Sequence, residues 1–460
     1  MRKESMQHMK RKLSTAAAIV LLITALSAWF AGCSGNSGLS DNLQDKKGAL
    51  AGITINCAFI GGGDYEKLYD QLPEFAKTTG ATVRIVYKGN GFDIDKKLIM
   101  DFTANTVDYD VMWNHTSFFS QYIPYLEPLD PYFSPDELND FLPRLLNACK
   151  RDGMLWMIPR HADISSLHYR TDLFNDPKEK TAFKEQYGKE LKVPETWEEF
   201  VEVAEFFTRG TSLYGTQFAG KEEALTGRFY ELLLSNGGEF LGPEGKAAFN
   251  SEAGVKAISM LRELYASGSM PKGMVNYLWD DLASNFANGN IAIYPEWYGW
   301  YSRFQNPEYS KVTGKFDVAR QPAGPGGIHG GWGGVHAFSI PKAAKNKEAA
   351  AVLIKFLTSP ESEYKEGKLG YLVARTSIWD KMIKEAERSN VPLDKKRLEL
   401  AKLQLSEDFQ TPPLIAQWIS SSNILFPRLQ SVILGEIEPK TALDEAAAEI
   451  NKLLESGTGG

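Results

Sequence analysis

The chain has 460 residues, a length typical of two domains, and its 43% hydrophobic and 24% charged residues are ordinary for a globular protein. Its formal charge of −7, with no basic run beyond the N-terminal segment, argues against nucleic acid as a partner. Ten Trp, 19 Tyr and 25 Phe make the chain rich in aromatic side chains, several of them in glycine-rich loops. Such rings either stack on flat ligand faces or fill a core.

The N-terminus has the layout of a secretory signal peptide, which we expect to span residues 1–32. Five Lys and Arg residues within 1–12 precede an apolar stretch at 13–29, and small residues lead up to Cys33. A cysteine at this position resembles the lipobox of bacterial lipoproteins, in which the thiol is diacylated. We therefore expect a lipid anchor on Cys33, a flexible tether over 33–51, and a location on the outer face of the cell membrane of a Gram-positive-type bacterium. The alternative is a plain transmembrane anchor, although the stretch is short for the roughly 20 residues that a span requires.

The first half of the chain alternates strands and helices. The pattern predicts strands at 53–60, 82–87 and 109–113, and helices at 65–75 and 93–103. This alternation indicates an α/β fold with a mostly parallel sheet. Ligands of such sheets bind at the carboxyl ends of the strands, so we expect Asp64, Trp113 and Asn114 to face one cleft.

The second half begins after a turn at Asp152 and Gly153. Strands are predicted at 154–159, from 167, and at 291–294, 316–319 and 335–340; helices are predicted at 228–235, 252–267, 280–288, 345–358 and through much of 379–454. Thr196 with Glu199 three residues later predicts a capping box at the start of a helix that runs through Phe207.

Five segments in this order resemble the bacterial extracellular solute-binding proteins, the family that includes maltose-binding protein. They are 109–111 (YDV) with 125–130 (YLEPLD), 153–159 (GMLWMIP) with 169–174, 194–200 (PETWEEF), 286–293 (FANGNIAI) and 344–361. The resemblance covers about residues 50–455. It implies a receptor of an ABC importer that captures a solute and breaks no bonds, rather than an enzyme.

The resemblance also implies the fold: two α/β lobes of the periplasmic-binding-protein type (type II-like), each discontinuous in sequence and joined by crossing hinge strands. We expect 52–161 and 336–376 in the N-terminal lobe, and 162–335 and 377–455 in the C-terminal lobe. The crossings are expected near 158–166, 332–338 and 372–377. Closure of the lobes would trap the ligand. The implied partners are a carbohydrate ligand and the transmembrane subunits of an ABC permease, and the receptor is expected to act as a monomer.

Asp163 is the first candidate for ligand contact. The resemblance places a ligand-contacting acid after Pro159, four residues before the next strand, and Asp163 occupies that position. Its carboxylate would accept hydrogen bonds from two adjacent sugar hydroxyls, and a structural salt bridge is the alternative. His161 lies on the same face of the strand because neighbours alternate, whereas Arg160 points the other way.

Aromatic residues in two loops are the next candidates. Trp297, Tyr298 and Trp300 follow a predicted strand where the resemblance puts a sugar-stacking ring, and Trp332 lies in the glycine-rich second crossing. The C–H face of a pyranose packs well on indole, and filling a core or lobe interface is the alternative for each ring. The remaining candidates stand at strand ends and crossings: Trp113, Asn114, Asp64 and Arg375. A turn is the alternative role for Asp64, and a helix cap for Arg375.

No cofactor or metal is expected. His329 and His336 lack the spacing of a metal motif, and the glycine-rich stretch 324–334 lacks the ending of a phosphate-binding loop. Cys57 and Cys149 lie in apolar surroundings, as free thiols or as a pair.

The ligand and the class of activity leave alternatives open. We expect a carbohydrate, in particular an oligosaccharide, but the same receptor fold suits a peptide or a polyol. A secreted carbohydrate-active enzyme would need two carboxylates about 5–9.5 Å apart, and Asp163 with Glu296 is the pair to check.

Overall fold

The structure is a computed structural model that describes residues 48–389 and 392–457. The predicted signal peptide, Cys33 and most of the predicted tether lie outside these residues, and so does the side chain of Asp64. Within the described ranges, no helix is both long and apolar enough to cross a bilayer.

Eleven strands are described: β1 Thr54–Ile60, β2 Thr82–Gly89, β3 Val111–His115, β4 Lys150–Arg151, β5 Met154–Leu155, β6 Ile158–Tyr169, β7 Ile293–Trp297, β8 Asp317–Ala319, β9 Gly331–Ser339, β10 Leu372–Val373 and β11 Phe409–Gln410.

The α-helices of the described residues are α1 Leu72–Thr79, α2 Gly91–Ala104, α3 Phe119–Tyr122, α4 Pro135–Leu138, α5 Pro143–Ala148, α6 Thr171–Asn175, α7 Pro177–Tyr187, α8 Trp197–Phe207, α9 Glu222–Ser235, α10 Glu252–Ala266, α11 Trp279–Ala287, α12 Trp300–Phe304, α13 Lys347–Leu357, α14 Pro360–Lys368, α15 Thr376–Arg388, α16 Pro392–Glu407, α17 Trp418–Ile433 and α18 Pro439–Gly457. Short 3₁₀ helices cover Gly63–Gln71, Ile123–Tyr125 and Lys272–Asn276.

Nine strands form one sheet with the main order β10-β6-β9-β3-β1-β2; β7 and β8 pair with β6, and β11 pairs with β9. β1 is parallel to β2 and β3, and β11 is parallel to β9. All the other pairs in this sheet are antiparallel. The expectation of a mostly parallel sheet is therefore correct for β1–β3 and wrong for the sheet as a whole, where five of the eight strand pairs are antiparallel.

The hydrophobic residues form two large cores, which define the lobes, and a smaller third cluster. The first core surrounds β1 and β3, and the second is built largely from helices α8–α10, α17 and α18. The third cluster joins α11 to Phe304 beside the second core. This two-lobed α/β architecture confirms the predicted fold class.

Strand β6 connects the two lobes. Its first half pairs with β9 and β10, and its second half pairs with β7 and β8. Ile164 packs in the first core and Leu167 packs in the second. A strand of 12 residues is long enough to belong to both lobes, since each residue adds about 3.3 Å. The residues between Ile164 and Leu167 therefore lie where the lobes meet.

The expected lobe boundary at residue 377 differs from the packing. Ile378, Trp379 and Met382 of α15, and Ala401 and Leu405 of α16, belong to the first core. The chain enters the second core only with α17. The helical pattern of 379–454 gave the secondary structure correctly, but an apolar helix face does not reveal which lobe it covers.

Helix α8 shows how local sequence determines an element boundary. The Thr196 hydroxyl accepts a hydrogen bond from the Glu199 amide at 3.2 Å, as the capping pattern predicts. The Glu199 carboxylate, however, accepts from the Glu195 amide rather than from that of Thr196. The helix therefore has only one of the two bonds of a capping box.

Cys57 and Cys149 are buried free thiols, which confirms one of the two expected alternatives. Burial raises the pKa of both thiols, and the Asp110 carboxylate adds to the effect at Cys57. A thiol that stays protonated is a poor nucleophile, so both side chains act as small apolar residues.

Candidate functional site

A carboxylate and an imidazole meet where β6 and β9 cross between the lobes. Asp163 lies on β6 and His336 on β9, and their Oδ2 and Nε2 atoms are 2.9 Å apart. The Asp163 side chain is 26% exposed, whereas that of His336 is 7% exposed. The crossing of β6 and β9 forms the floor between the lobes, and Asp163 presents a partly exposed carboxylate from this otherwise buried floor.

Trp113, in the middle of β3, extends this pair into a chain of hydrogen bonds. Its indole Nε1 donates to Nδ1 of His336 at 3.1 Å. Strands β3 and β9 are antiparallel neighbours, with His115 opposite His336. Because Nδ1 accepts a hydrogen bond from Trp113, the ring hydrogen of a neutral His336 lies on Nε2, which donates a hydrogen bond to Asp163. The buried indole is therefore linked to the exposed carboxylate.

Aromatic rings stack behind the Asp163–His336 pair. The ring centroids of His161 and His336 are 4.4 Å apart with planes 19° apart, and Tyr65 stacks on His336 at 5.3 Å. Tyr371 contacts His161 at 4.8 Å. Burial and the neighbouring Arg160 charge lower the pKa of His161, so its ring is neutral at physiological pH. His161 and Asp163 lie on the same face of β6, as strand alternation predicts, but the His161 side chain is fully buried and does not reach solvent.

His161, Asp163 and His336 have a donor set that suits a transition metal, with donor atoms within 4.8 Å of one another. A bound ion would have to lie in both ring planes, about 2.1 Å from each nitrogen. Two nearly parallel rings stacked at 4.4 Å do not allow this. Nε2 of His336 also carries the proton that Asp163 accepts. As arranged, the three residues fit a hydrogen-bonded cluster better than a metal centre.

A second aromatic group lines the other lobe. Trp297 contacts Trp332 at 4.5 Å and Trp279 at 6.2 Å between ring centroids. Trp279 in turn stacks on Phe92 of the first lobe, at 6.2 Å with parallel planes. Trp332 is only 3% exposed, whereas Trp297 is partly exposed. Trp297 is therefore the better placed of the two predicted indoles for stacking on a ligand.

The position of Trp332 depends on a glycine. Its indole lies directly on Gly227 of helix α9, where a Cβ atom would collide with the ring. The Trp332 backbone amide donates to the Glu231 carboxylate at 3.3 Å. Trp332 thus supports Trp297 from behind by filling the space between β9 and α9.

Buried charges lie beneath these rings in the second lobe. Arg228 forms an ion pair with Glu231 and approaches Glu296 at 3.6 Å. Ser165 of β6 donates a hydrogen bond to Glu231. Burial raises the pKa of Glu296 to about 7, although the Arg228 charge acts in the opposite direction. Glu296 therefore titrates near neutral pH in a site that solvent does not reach.

A hydrogen bond joins the two lobes beside this site. The hydroxyl of Ser117, in the first lobe, donates to the Glu223 carboxylate of helix α9 in the second lobe at 2.9 Å. The Trp418 indole donates to the same oxygen at 2.9 Å. Burial raises the pKa of Glu223, and the two hydrogen bonds oppose this shift. The structure therefore holds the lobes in contact.

Two of the predicted site residues, Asn114 and Tyr298, make hydrogen bonds within the protein's own packing. Asn114 donates to Ser339 at 3.0 Å and accepts from the His115 amide. The Tyr298 hydroxyl donates to the Arg397 carbonyl at 3.3 Å, in the first core. Their polar atoms therefore hold strands and helices together rather than facing the floor.

Arg375 and Trp300 lie in structural positions. The Arg375 guanidinium donates to the Thr358 carbonyl at 2.7 Å and pairs with Asp140 at 3.5 Å. Trp300 stacks on Phe304 in the third cluster. Arg375 holds the N-cap position of α15 without a side-chain capping bond, and its guanidinium instead binds the carbonyl of Thr358, the C-cap residue of α13.

Three residues that line the site were absent from the predicted set: His336, Tyr65 and Trp279. His336 lies in the predicted second crossing, but its place beside Asp163 depends on the register of β6 and β9. The sequence predicted where two strands cross between the lobes, but it does not reveal which residue of one strand lies beside which residue of the other. Tyr65, by contrast, directly follows Asp64 in the sequence, and Asp64 was expected to face the cleft.

A floor on crossing strands between two α/β lobes is the arrangement of a solute-binding receptor. The family model of the bacterial extracellular solute-binding proteins matches residues 62–364. The chain belongs to this family, and it is a solute-binding receptor of the kind that serves ABC transporters.

Individual relatives are more distant. A probable ABC transporter-binding protein of Deinococcus radiodurans is 28% identical over 323 residues, 68% of this chain and 73% of that protein. A probable amino-acid ABC transporter periplasmic-binding protein of Sinorhizobium fredii is 27% identical over 381 residues, 80% of this chain and 82% of that protein. The maltose-bound MalE3 of T. maritima matches with a TM-score of 0.74 at 26% identity, covering 87% of this chain and 100% of that one.

Proposed function

We propose that this protein is a lipid-anchored receptor that captures an uncharged carbohydrate, in particular an oligosaccharide, and delivers it to an ABC permease. The observation that carries the proposal is the exposed carboxylate of Asp163, held by His336 on the floor between the lobes. Only its Oδ2 atom has a hydrogen-bond partner among the described residues, so Oδ1 is available to ligand hydroxyls.

The charges near the floor favour an uncharged ligand. An amino acid or a sugar acid would need a cation free to pair with its carboxylate. Arg160 is paired with Glu366, and Arg228 is paired with Glu231. The amino-acid relative from Sinorhizobium makes this the main competing ligand class.

The aromatic wall, formed by Trp297, Trp279 and Trp332, favours a ring-shaped ligand. Trp297 is partly exposed and is held in place by Trp279 and Trp332. Indole stacks on the C–H face of a pyranose, and a preordered ring does so with little loss of side-chain entropy. The maltose bound to the T. maritima protein belongs to the same ligand class.

A carbohydrate-active enzyme is less consistent with the site. The Glu296 carboxylate is buried against Arg228 with 1% exposure, whereas the Asp163 side chain is 26% exposed. A hydrolase needs both carboxylates to face the same bond.

Isothermal calorimetry with a ligand panel tests the proposal. The panel contains maltose, maltotriose, ribitol, leucine and trialanine. We expect heat from a sugar and none from leucine, and we expect Asp163→Asn to weaken sugar binding at least tenfold. The matched control is Asp172→Asn, which removes a carboxylate paired with Arg170 away from the floor. Binding of leucine or trialanine without any sugar would overturn the ligand class, and release of cleaved products would overturn the receptor.

A further inference from the structure

We infer that Trp113 is a positioning residue that keeps His336 neutral, so that Asp163 meets its ligand as a full carboxylate. The role of Asp163 in ligand contact rests on the proposed function, whereas the protonation state of His336 does not. Trp113 touches no ligand in this scheme: it acts on the floor through one hydrogen bond, from its Nε1 to Nδ1 of His336 at 3.1 Å.

The geometry makes the two ring nitrogens of His336 unequal. Nε2 lies 2.9 Å from a carboxylate oxygen of Asp163, an arrangement that requires a hydrogen on Nε2. Nδ1 receives the indole hydrogen of Trp113, and its lone pair is thereby occupied. A second proton on Nδ1 would place two hydrogens between Nδ1 and Nε1, so protonation would break this hydrogen bond.

The groups packed around His336 favour different protonation states of its ring, and the hydrogen bond from Trp113 favours the neutral one. Asp163 is the carboxylate in contact, and its charge alone would favour an imidazolium. The rings of His161, His115 and Tyr65 also face His336. Burial lowers the pKa of His115 and His161 and raises that of Tyr65, so these three groups are uncharged.

The remaining nearby charge is compensated. Glu366 is the other buried carboxylate of this region, and Arg160 holds it in a fully buried ion pair with an Nη2–Oε1 distance of 2.5 Å. The protonation of His336 is therefore a balance between Asp163 on one nitrogen and Trp113 on the other.

The consequence concerns ligand recognition. A neutral His336 orients Asp163 through one hydrogen bond and leaves its negative charge in place. A charged acceptor forms hydrogen bonds roughly twice as strong as a neutral one, which favours a hydroxyl-rich, uncharged ligand. An imidazolium would neutralise the carboxylate and weaken this recognition.

Nitrogen NMR of ¹⁵N-histidine-labelled, ligand-free protein tests the inference directly. At about pH 6 we expect His336 to show an unprotonated Nδ1, which accepts from Trp113, and a protonated Nε2, which donates to Asp163. Trp113→Phe removes the N–H and keeps an aromatic ring, and we expect both nitrogens of His336 to become protonated. A doubly protonated His336 in the wild type would overturn the inference, and so would an unprotonated Nδ1 that survives in Trp113→Phe.

The matched control is Trp379→Phe. Trp379 is also buried in the first lobe, but its indole donates to the Val373 carbonyl at 2.9 Å. The same loss of an indole N–H there should leave the His336 signals unchanged, and a change would overturn the specific role of Trp113. With maltotriose as the probe, Trp113→Phe should weaken binding by about tenfold at pH 6 and less at pH 8. Because the NMR measurement needs no ligand, it stands even if maltotriose does not bind.

Discussion

The Ser117 hydroxyl donates a 2.9 Å hydrogen bond to the Glu223 carboxylate, and the two residues belong to different lobes. Nearby, Phe92 of the first lobe stacks on Trp279 of the second. The closed arrangement thus contains contacts made by the protein itself. A receptor whose lobes already attract each other needs less ligand energy to close, because a ligand only adds its preference for the closed state.

We expect Ser117→Ala to shift the receptor towards an open form. A hydrogen bond to a charged group contributes about 1.5–3 kcal/mol, so the ratio of closed to open molecules should fall by roughly ten- to a hundredfold. Small-angle X-ray scattering of the ligand-free protein should show a larger radius of gyration. Ser422→Ala is the control, since its hydroxyl bonds to Thr226 within the second lobe. Equal scattering from Ser117→Ala and wild type would show that this bond does not affect closure.

Gly227→Ala should disturb the aromatic wall. The added methyl group would collide with the Trp332 indole, which is confined between α9 and β9. We expect a loss of about 1–3 kcal/mol in unfolding free energy, measured by chemical denaturation, and a change in tryptophan fluorescence. Gly242→Ala, whose Cβ would lie 3.6 Å from Ala248, should be tolerated. A fully stable Gly227→Ala with native fluorescence would contradict this packing.

The fold could be predicted from the sequence to the level of lobes and elements. Hydrophobic periodicity located strands such as β1 and helices such as α2 to within a few residues, because it reflects local burial. The direction of β9 relative to β6 and the lobe to which α15 belongs were not predictable. Both depend on contacts between residues far apart in the chain.

The site shows the same limit at the level of single residues. Asp163 was predicted because the family resemblance places a ligand-contacting acid at this position on the first crossing. His336 was considered only for metal spacing, since its role depends on lying beside Asp163 and Trp113. Asn114 was predicted to face the cleft, but its amide bonds to Ser339. Strand alternation predicts faces, whereas hydrogen-bond partners require the register.

Cys33→Ala should separate anchoring from binding. Cys33 precedes the described residues, and its expected role is to carry the lipid anchor. We expect the variant to move from the membrane fraction to the medium with its ligand affinity, measured by calorimetry, unchanged. Retention of the variant in the membrane fraction would favour the plain transmembrane anchor instead.

Glu296→Gln should make the stability of the protein less dependent on pH. Burial raises the folded-state pKa of Glu296 from 4.5 to about 7, so between these values the folded protein binds more protons than the unfolded chain. The unfolding free energy of the wild type should therefore fall as pH rises from about 4.5 to 7, by about 3 kcal/mol from this residue. Chemical denaturation at a series of pH values should show this slope in the wild type and in Glu308→Gln, where the carboxylate is exposed. A slope that persists in Glu296→Gln would assign the titration to another group.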